Sequence, residues 1–239
     1  MKINFVSNRP WLTSKSSSSP IPTIKNIPSW YKDYDRYAKD SNGVEYKDHE
    51  GGKIPTWKAC PAIYDIMGTG YVLRTPCDID FVEADGNLIA RIDNPMYQDF
   101  IQYRNEMPGF MQPEGYRSNH FAWFPDWAPS VPDGYSVLYS HPFNRFDLPF
   151  INTSGIVDND SVDIPGTMPF FIRTGWSGRI LEGTPYMQLL PFKRDDWESE
   201  YIELDEKQIV RRNLKNSKKY RKPNGGIYLN ETWHRRKYS

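Results

Sequence analysis

A short acidic turn contains the residue types best suited to chemistry. Asp158 and Asp160 are separated by a single asparagine, so their carboxylates are close enough to bind a metal ion or to accept hydrogen bonds from a hydroxyl group or a water molecule. The same spacing is typical of an Asx turn, in which the carboxylates bond to the nearby backbone instead. The sequence leaves both interpretations open.

A second polar group follows a predicted strand at 135–140. His141, Asn144 and Arg145 supply hydrogen-bond donors and one fixed positive charge, which are the groups that hold a phosphate or another polar ligand. The alternative is a histidine that is hydrogen-bonded within an ordinary loop. The four histidines and two cysteines show no spacing typical of a metal centre, so they predict no metal site.

Aromatic side chains are concentrated beside His120. Trp123, Phe124 and Trp127 could stack on a sugar or a base, or they could pack in the core. Aromatic residues make up 15% of the chain, which also has 20 prolines and 16 glycines. This composition excludes a disordered protein, disfavours a helix bundle and favours short strands joined by structured loops.

The C-terminal tail, residues 207–239, is strongly basic. It has 11 lysines or arginines and one acid, Glu231, although the whole chain is neutral with 30 basic and 30 acidic residues. Such a stretch can follow the phosphates of a nucleic acid or dock on an acidic neighbour, and a solvated arm is the alternative. The cations that cluster most tightly are Arg211, Arg212, Lys215, Lys218, Lys219, Arg221 and Lys222.

Apolar periodicity and turn signals predict the elements that must position these groups. Strands are expected at 71–74, 79–82, 88–92, 119–124, 135–140, 169–174, 178–182 and 185–192. Helices are expected at 57–67, 95–106 and 196–210, the last begun by a capping box of Asp195 and Glu198. The predicted fold is mainly β, a barrel or sandwich with a few peripheral helices. We divide the chain into an N-terminal arm with a polar loop (1–50), a β-rich core (51–206) and the basic tail (207–239).

The chain shows no sign of a membrane or a secreted framework. No apolar run approaches the length of a membrane-spanning helix, and the N-terminus is too short and polar for a signal peptide. Cys60 and Cys77 are too few for a disulfide framework. They either pair with each other or, as we favour, act as small buried hydrophobes.

Three consecutive segments resemble the dUTPase and dCTP-deaminase superfamily. They are residues 131–139 (VPDGYSVLY), 151–160 (INTSGIVDND) and 180–189 (ILEGTPYMQL). The resemblance implies a jelly-roll protomer, commonly trimeric, with sites at subunit boundaries. It places Asp158 on the sugar hydroxyl or the attacking water, and Gln188 on the phosphate side. It also implies Mg²⁺ as a cofactor if the chain is a nucleotide hydrolase.

Two positions depart from that superfamily. The place of its Arg-Ser-Ser phosphate motif is occupied by residues 140–145 (SHPFNR), and the aromatic residue expected three positions after Asp158 is Ser161. A site without its phosphate motif and its stacking ring loses the main contacts that hold a nucleotide. Gln188 is then equally well explained as a cross-strand surface residue.

Most of the chain is also similar to a group of tailed-phage (cyanophage-type) proteins without an established activity. The segments that carry this resemblance are 27–32 (IPSWYK), 69–79 (TGYVLRTPCDI), 133–136 (DGYS), 141–144 (HPFN) and 183–194. It implies a viral origin, and action in the host cytoplasm or in the virion.

Three hypotheses follow for the function. The first is a phage β-barrel protein that works without a cofactor, through self-association or by binding other phage proteins or nucleic acid. The second is a divergent dUTPase-like nucleotide hydrolase or nucleotide-binding regulator that uses Asp158 and Gln188. The third is a structural component of the virion.

Overall fold

The chain consists of two compact units. The structure is a computed structural model that describes residues 1–7, 9–104, 109, 112–220, 231–234 and 237–239, with only the backbone described for 218–220. The first unit comprises Met1–Asn26, Thr69–Arg194 and Tyr238–Ser239, and the second comprises Ile27–Gly68 and Asp195–Lys237. All strands belong to the first unit and all α-helices to the second. We call them the β unit and the helical unit. The predicted division at residues 50 and 206 stays a prediction.

The β unit is built from short strands, as the turn-rich composition predicts. Those described are β1 (Asn4–Ser7), β2 (Ile21–Pro22), β3 (Tyr71–Arg74), β4 (Ile79–Ala84), β5 (Asn87–Arg91), β6 (Ile101–Arg104), β7 (His120–Trp123), β8 (Trp127–Ser130), β9 (Tyr135–Ser140), β10 (Phe150–Asn152), β11 (Gly155–Val157), β12 (Met168–Ile172), β13 (Gly178–Ile180) and β14 (Pro185–Lys193). The predicted mainly β class, with few helices, is confirmed.

The strands form antiparallel sheets. The largest has the order β11-β9-β14-β3-β2, and the others have the orders β10-β12-β7-β6, β13-β4-β5 and β1-β8. The hairpin of β4 and β5 turns at Asp85 and Gly86, both with positive φ, as the Asp-Gly pair predicts. The longest register runs along β9 and β14, from Ser140 opposite Gln188 to Tyr135 opposite Lys193. The register of these two strands therefore determines which residues lie next to each other at the Gln188 end and at the Lys193 end.

One aromatic core receives side chains from all these sheets. Trp123 is fully buried and stacks on Phe170 with ring centroids 3.8 Å apart. Its indole N–H donates to Asn152 Oδ1 at 2.9 Å, which satisfies the one polar atom of the ring. Of the two alternatives for the aromatic residues beside His120, the structure thus shows core packing for Trp123. His120 is itself 1% exposed and stacks on Phe171.

The α-helices are α1 (Ser29–Asp33), α2 (Pro61–Gly68) and α3 (Glu206–Tyr220). The helix predicted at 57–67 is divided, because Pro61 has no N–H and so starts a new helix after a 3-10 turn at Trp57–Ala59. The hydroxyl of Thr56 donates to the carbonyl of Asp35 and does not cap the turn. The helix predicted at 95–106 is also wrong: a 3-10 turn at Pro95–Tyr97 is followed by strand β6.

The helix predicted at 196–210 begins ten residues later, at Glu206. Asp205 and Gln208 form the capping box that is used: Gln208 N–H donates to Asp205 Oδ1 at 2.8 Å, and Asp205 N–H donates to Gln208 Oε1 at 3.0 Å. Residues 194–205 form no regular element. Like charges at helical spacing, such as Asp196 and Glu200, oppose a helix there, and no packed surface compensates.

Two short N-terminal segments pair with strands of the β unit. Strand β1 pairs with β8, and β2 pairs with β3, so both lie within the β unit. Arg9 holds this segment further, because its guanidinium donates to Asp99 at 2.7 Å and also pairs with the buried Asp126. Cys60 and Cys77 are both free thiols, and Cys77 is buried. Among the described residues, none of the helices has the length and apolarity needed to cross a membrane.

Candidate functional site

Asp158 is placed by the edge of the largest sheet. Strand β11 pairs antiparallel with β9, and Val157 lies opposite Val137, so the chain leaves the sheet at Asp158 beside Ser136. The hydroxyl of Ser136 donates to Asp158 Oδ1 at 2.6 Å. The Asp158 side chain remains 60% exposed. A ligand in solvent can therefore reach this carboxylate.

Arg194, at the end of β14, joins both carboxylates of the acidic turn. Its guanidinium lies 3.2 Å from Asp158 Oδ1 and donates to Asp160 Oδ1 at 3.1 Å. Asp160 also accepts the backbone N–H of Gly134 at 2.9 Å. The hydrogen bond from Arg194 holds the pKa of Asp160 well below its usual range. We call Ser136, Asp158, Asp160 and Arg194 the Asp158 cluster.

The acidic turn itself is anchored from inside. Asn159 is fully buried, and its side chain accepts from the Tyr139 hydroxyl at 3.0 Å and donates to the carbonyl of Val162 at 2.9 Å. The buried Tyr139 hydroxyl is thus satisfied as well. Asp158 accepts from Ser136 and pairs with Arg194, whereas Asp160 accepts from Gly134, Ser161 and Arg194, so the Asx-turn interpretation describes only part of their contacts.

The chemistry open to the Asp158 cluster follows from its charges. Two carboxylates and one guanidinium leave a net negative charge, and Arg194 is already shared between the two acids. Such a group can accept hydrogen bonds from a hydroxyl or a water molecule. It offers no spare cation for a phosphate, whose developing charge needs positive groups. Among the described residues there is no group of three or more His, Cys, Asp or Glu side chains arranged to hold a metal ion.

Gln188 lies at the other end of the same strand pair. It faces Ser140, four residues along β9 from Ser136, so it is displaced from Asp158 by about 13 Å along the strand. The side chain is buried, with Oε1 accepting the Phe143 N–H at 3.0 Å and Nε2 donating to the Thr69 carbonyl at 2.7 Å. Within one chain the structure does not bring Gln188 and Asp158 together.

His141, Asn144 and Arg145 share one tight turn after β9. Asn144 has φ of 58°, a left-handed conformation that asparagine tolerates. His141 Nε2 lies 3.3 Å from the Arg145 carbonyl, and burial lowers the pKa of the ring. The Arg145 guanidinium makes two bonds of 2.8 Å to Asp147. The cation predicted to hold a phosphate is therefore already paired, and the imidazole favours its neutral form.

A shallow cavity of about 650 Å³ lies elsewhere on the β unit. It contains none of the residues predicted to bind a ligand. Its lining is formed by Asn87, Leu88, Ile89, Ala90, Ile101, Tyr103 and Phe121. Tyr103 is the one ionisable residue in this lining, which has no carboxylate, histidine or lysine.

The basic residues predicted to bind a nucleic acid lie in and after α3. Lys207, Arg211, Arg212 and Lys215 are exposed on the helix. They make no ion pair with any other residue that the structure describes. Lys218 and Lys219 also belong to α3, whereas Arg221 and Lys222 lie outside the described residues.

Sequence reasoning missed Arg194 and Ser136. Ser136 was visible only as one residue of a predicted strand, and Arg194 as a cation after another strand. Their meeting depends on the register in which Ser136 lies opposite Phe192. A register is set by pairing over the whole strand, so no local pattern marks either residue.

Comparisons with known proteins give a limited likeness. No protein-family model matches the chain, and no curated protein matches it. The solved structure of the dUTPase from phage phi11 of S. aureus aligns at 15% identity and a TM-score of 0.27, covering 44% of this chain and 97% of that one. A point mutant of the same dUTPase aligns at 13% identity and a TM-score of 0.25, with the same coverage. These values are too low to support a conclusion about activity, and the fold class rests on the strands of this chain.

Proposed function

We propose that this protein acts by binding nucleic acid through the basic face of α3, and not by hydrolysing nucleotides. The observation that carries the proposal is the row formed by Lys207, Arg211 and Lys215, one helical turn apart and exposed. Successive members of such a row stand about 6 Å apart along the helix axis. A row of cations with this geometry can contact consecutive phosphates without reading the bases.

The contrast with the β unit supports this choice. Each cation that was predicted to hold a nucleotide phosphate, or that lies beside the predicted catalytic aspartate, is bonded to a carboxylate: Arg145 to Asp147, and Arg194 to Asp160. Lys207, Arg211, Arg212 and Lys215 of α3 have no such partner among the described residues. Acidic ligands are therefore attracted to α3 more strongly than to the Asp158 cluster.

The direct experiment is a titration of the full chain into a fluorescein-labelled DNA duplex, followed by fluorescence anisotropy. The test variant is Lys207→Gln/Arg211→Gln/Lys215→Gln, which keeps helix propensity while removing the three charges of the row. We expect its affinity to fall by about tenfold or more at low salt. The matched control is Lys2→Gln/Lys15→Gln/Lys25→Gln, which removes the same charge from exposed positions in the β unit.

The control separates a local role of α3 from a general effect of net charge. If both triple variants lost the same amount of affinity for the duplex, the proposal would be contradicted. It would also be contradicted if the wild-type protein left the anisotropy of the duplex unchanged. Circular dichroism of the test variant, matching that of the wild type, establishes that α3 still forms. If single-stranded DNA or RNA binds in place of the duplex, the role of α3 stands and the preferred ligand changes.

A second candidate, nucleotide binding or hydrolysis with Mg²⁺, is favoured by one observation: the Asp158 carboxylate is exposed and fixed in direction by Ser136. This hypothesis expects dUTP or a related nucleotide to raise the melting temperature, and Asp158→Ala to remove the rise. Our proposal expects no shift with any nucleotide at millimolar concentration. Turnover of a deoxynucleotide by purified protein, abolished by Asp158→Ala, would decide for the second candidate.

A further inference from the structure

Charge is divided sharply within the C-terminal part of the helical unit. Residues 195–206, which we call the acidic stretch, contain seven acids and no cation, and residues 207–220, the basic stretch, contain six cations and no acid. The boundary falls at the start of α3. Because each stretch is uniform in sign, each repels itself and attracts the other.

The acidic stretch also exposes large apolar side chains. Trp197, Tyr201 and Ile202 are 89%, 94% and 76% exposed. On α3, Val210 and Leu214 stand one turn apart and are also exposed, at 53% and 58%. Clusters of exposed apolar residues with charged neighbours mark surfaces that pack against another molecule.

We propose that two copies of this chain associate through these stretches, the acidic stretch of each copy lying antiparallel along α3 of the other. The occupant of the α3 surface is therefore residues 195–205 of a second copy. Trp197, which lies between Asp196 and Glu198 along the stretch, then packs beside Leu214, and the acids meet the cations. Sequestering aromatic rings and pairing opposite charges both favour the association.

The spacing of the charges fits this pairing. An extended chain places alternate residues such as Asp196, Glu198 and Glu200 on one side at intervals of about 6.7 Å. Along a helix, Lys207, Arg211 and Lys215 stand about 6 Å apart. Running antiparallel, Glu200 meets Lys207 and Asp196 meets Lys215, with Glu198 opposite Arg211 between them.

The pairing is reciprocal. The acidic stretch of copy one lies along α3 of copy two. A two-fold axis then places the acidic stretch of copy two along α3 of copy one, with the same contacts. Such an isologous contact closes as a dimer and does not propagate into a fibre. It uses the cations that our proposed function assigns to nucleic acid, so the dimer and the nucleic acid compete for α3.

The test measures mass in the absence of nucleic acid, by sedimentation equilibrium of the full chain at micromolar concentration and low salt. Variant A is Lys207→Glu/Arg211→Glu/Lys215→Glu, and variant B is Asp196→Lys/Glu198→Lys/Glu200→Lys. We expect the wild type to have twice the monomer mass of 28.0 kDa, A and B alone to be monomers, and a one-to-one mixture of A and B to form a heterodimer. Rescue by mixing cannot arise from misfolding of either variant.

The control Lys2→Glu/Lys15→Glu/Lys25→Glu should dimerise as the wild type does, since it changes net charge as much as A but outside the helical unit. High salt should dissociate the dimer. A wild-type chain that sediments as a monomer at all salts, or a mixture of A and B that stays monomeric, would overturn the inference. Nucleic acid binding is measured separately, so a monomeric chain that still binds DNA through α3 would leave the proposed function intact.

Discussion

Charged side chains are paired with each other in one region of this protein and separated along the chain in another. In the Asp158 cluster, Arg194 bonds to both acids of the turn and Ser136 bonds to one of them, so the charges satisfy each other within the β unit. In the C-terminal part of the helical unit, acids and cations are separated along the chain. The α3 cations whose side chains are described, from Lys207 to Lys215, pair with no described acid.

The difference indicates which region is prepared to bind. Groups that are already paired must lose their partners before they can bind a ligand, which costs most of what the new contact would contribute. Exposed cations need only release solvent and counterions. In our proposal, the β unit is therefore the scaffold and the C-terminal part of the chain binds the partners.

The largest difference in stability should appear when a tryptophan is replaced by alanine in the β unit and in the acidic stretch. Trp123→Ala removes a ring buried against Phe170 and should lower the free energy of unfolding by about 3–5 kcal/mol. Trp197→Ala removes an exposed ring and, at high salt where the proposed dimer is dissociated, should change it by less than about 0.5 kcal/mol. Urea unfolding of both variants tests the contrast. Equal losses would show that residues 195–205 are packed like the core.

A smaller contrast separates the two residues that the dUTPase resemblance assigns to nucleotide binding. Gln188→Ala leaves the Phe143 N–H and the Thr69 carbonyl without their partner and should cost about 1–3 kcal/mol. Asp158→Ala removes an exposed ion pair and should cost about 1 kcal/mol or less. Chemical denaturation of both variants measures this. A Gln188→Ala variant as stable as the wild type would mean that its amide is available to a ligand.

The buried imidazole of His141 should give the β unit a pH dependence. Burial lowers its pKa in the fold below the value of about 6.5 expected in the unfolded chain, so protons bind preferentially to the unfolded state. Stability should therefore fall as the pH drops through about 6.5. His120 acts in the same direction, since burial also lowers its pKa.

Thermal melts at about pH 7 and pH 5 check this dependence. In His141→Phe the loss of melting temperature between the two values should be smaller than in the wild type, with the remainder due to His120 and the acids. His234→Phe, at an exposed position, is the matched control and should behave as the wild type. An unchanged loss in His141→Phe would show that its ring is protonated in the fold.

The two thiols should differ in reactivity without affecting stability. Burial raises the pKa of the Cys77 thiol to about 11, so at neutral pH it is protonated and shielded. Cys60 is partly exposed. A disulfide reagent added to the native protein should label Cys60, and label Cys77 only after denaturation. Labelling of Cys77 in the native protein, identified by peptide mass spectrometry, would contradict the burial of this region.

The sequence predicts the β unit well because its signals are local. The Asp-Gly turn and the alternating residues of the strands β4 and β5 that it joins each act within a few positions, and the structure reproduces them. It predicts the helices less well, because two possible capping boxes lie near the last helix. Asp195 with Glu198 was predicted to begin the helix, but Asp205 with Gln208 does so. Asp158 was found from the turn, whereas Arg194 was not, because a long-range register brings them together.

The central claim is that the cations of α3 contact phosphates, and salt dependence tests it most directly. The logarithm of the affinity for a DNA duplex should fall linearly with the logarithm of the salt concentration, with a slope of about 0.9 for each phosphate contacted. Lys207→Gln/Arg211→Gln/Lys215→Gln should reduce that slope by about 2.7 in total, whereas Lys2→Gln/Lys15→Gln/Lys25→Gln should leave it unchanged. A slope that is the same in the wild type and in the α3 variant would contradict the claim.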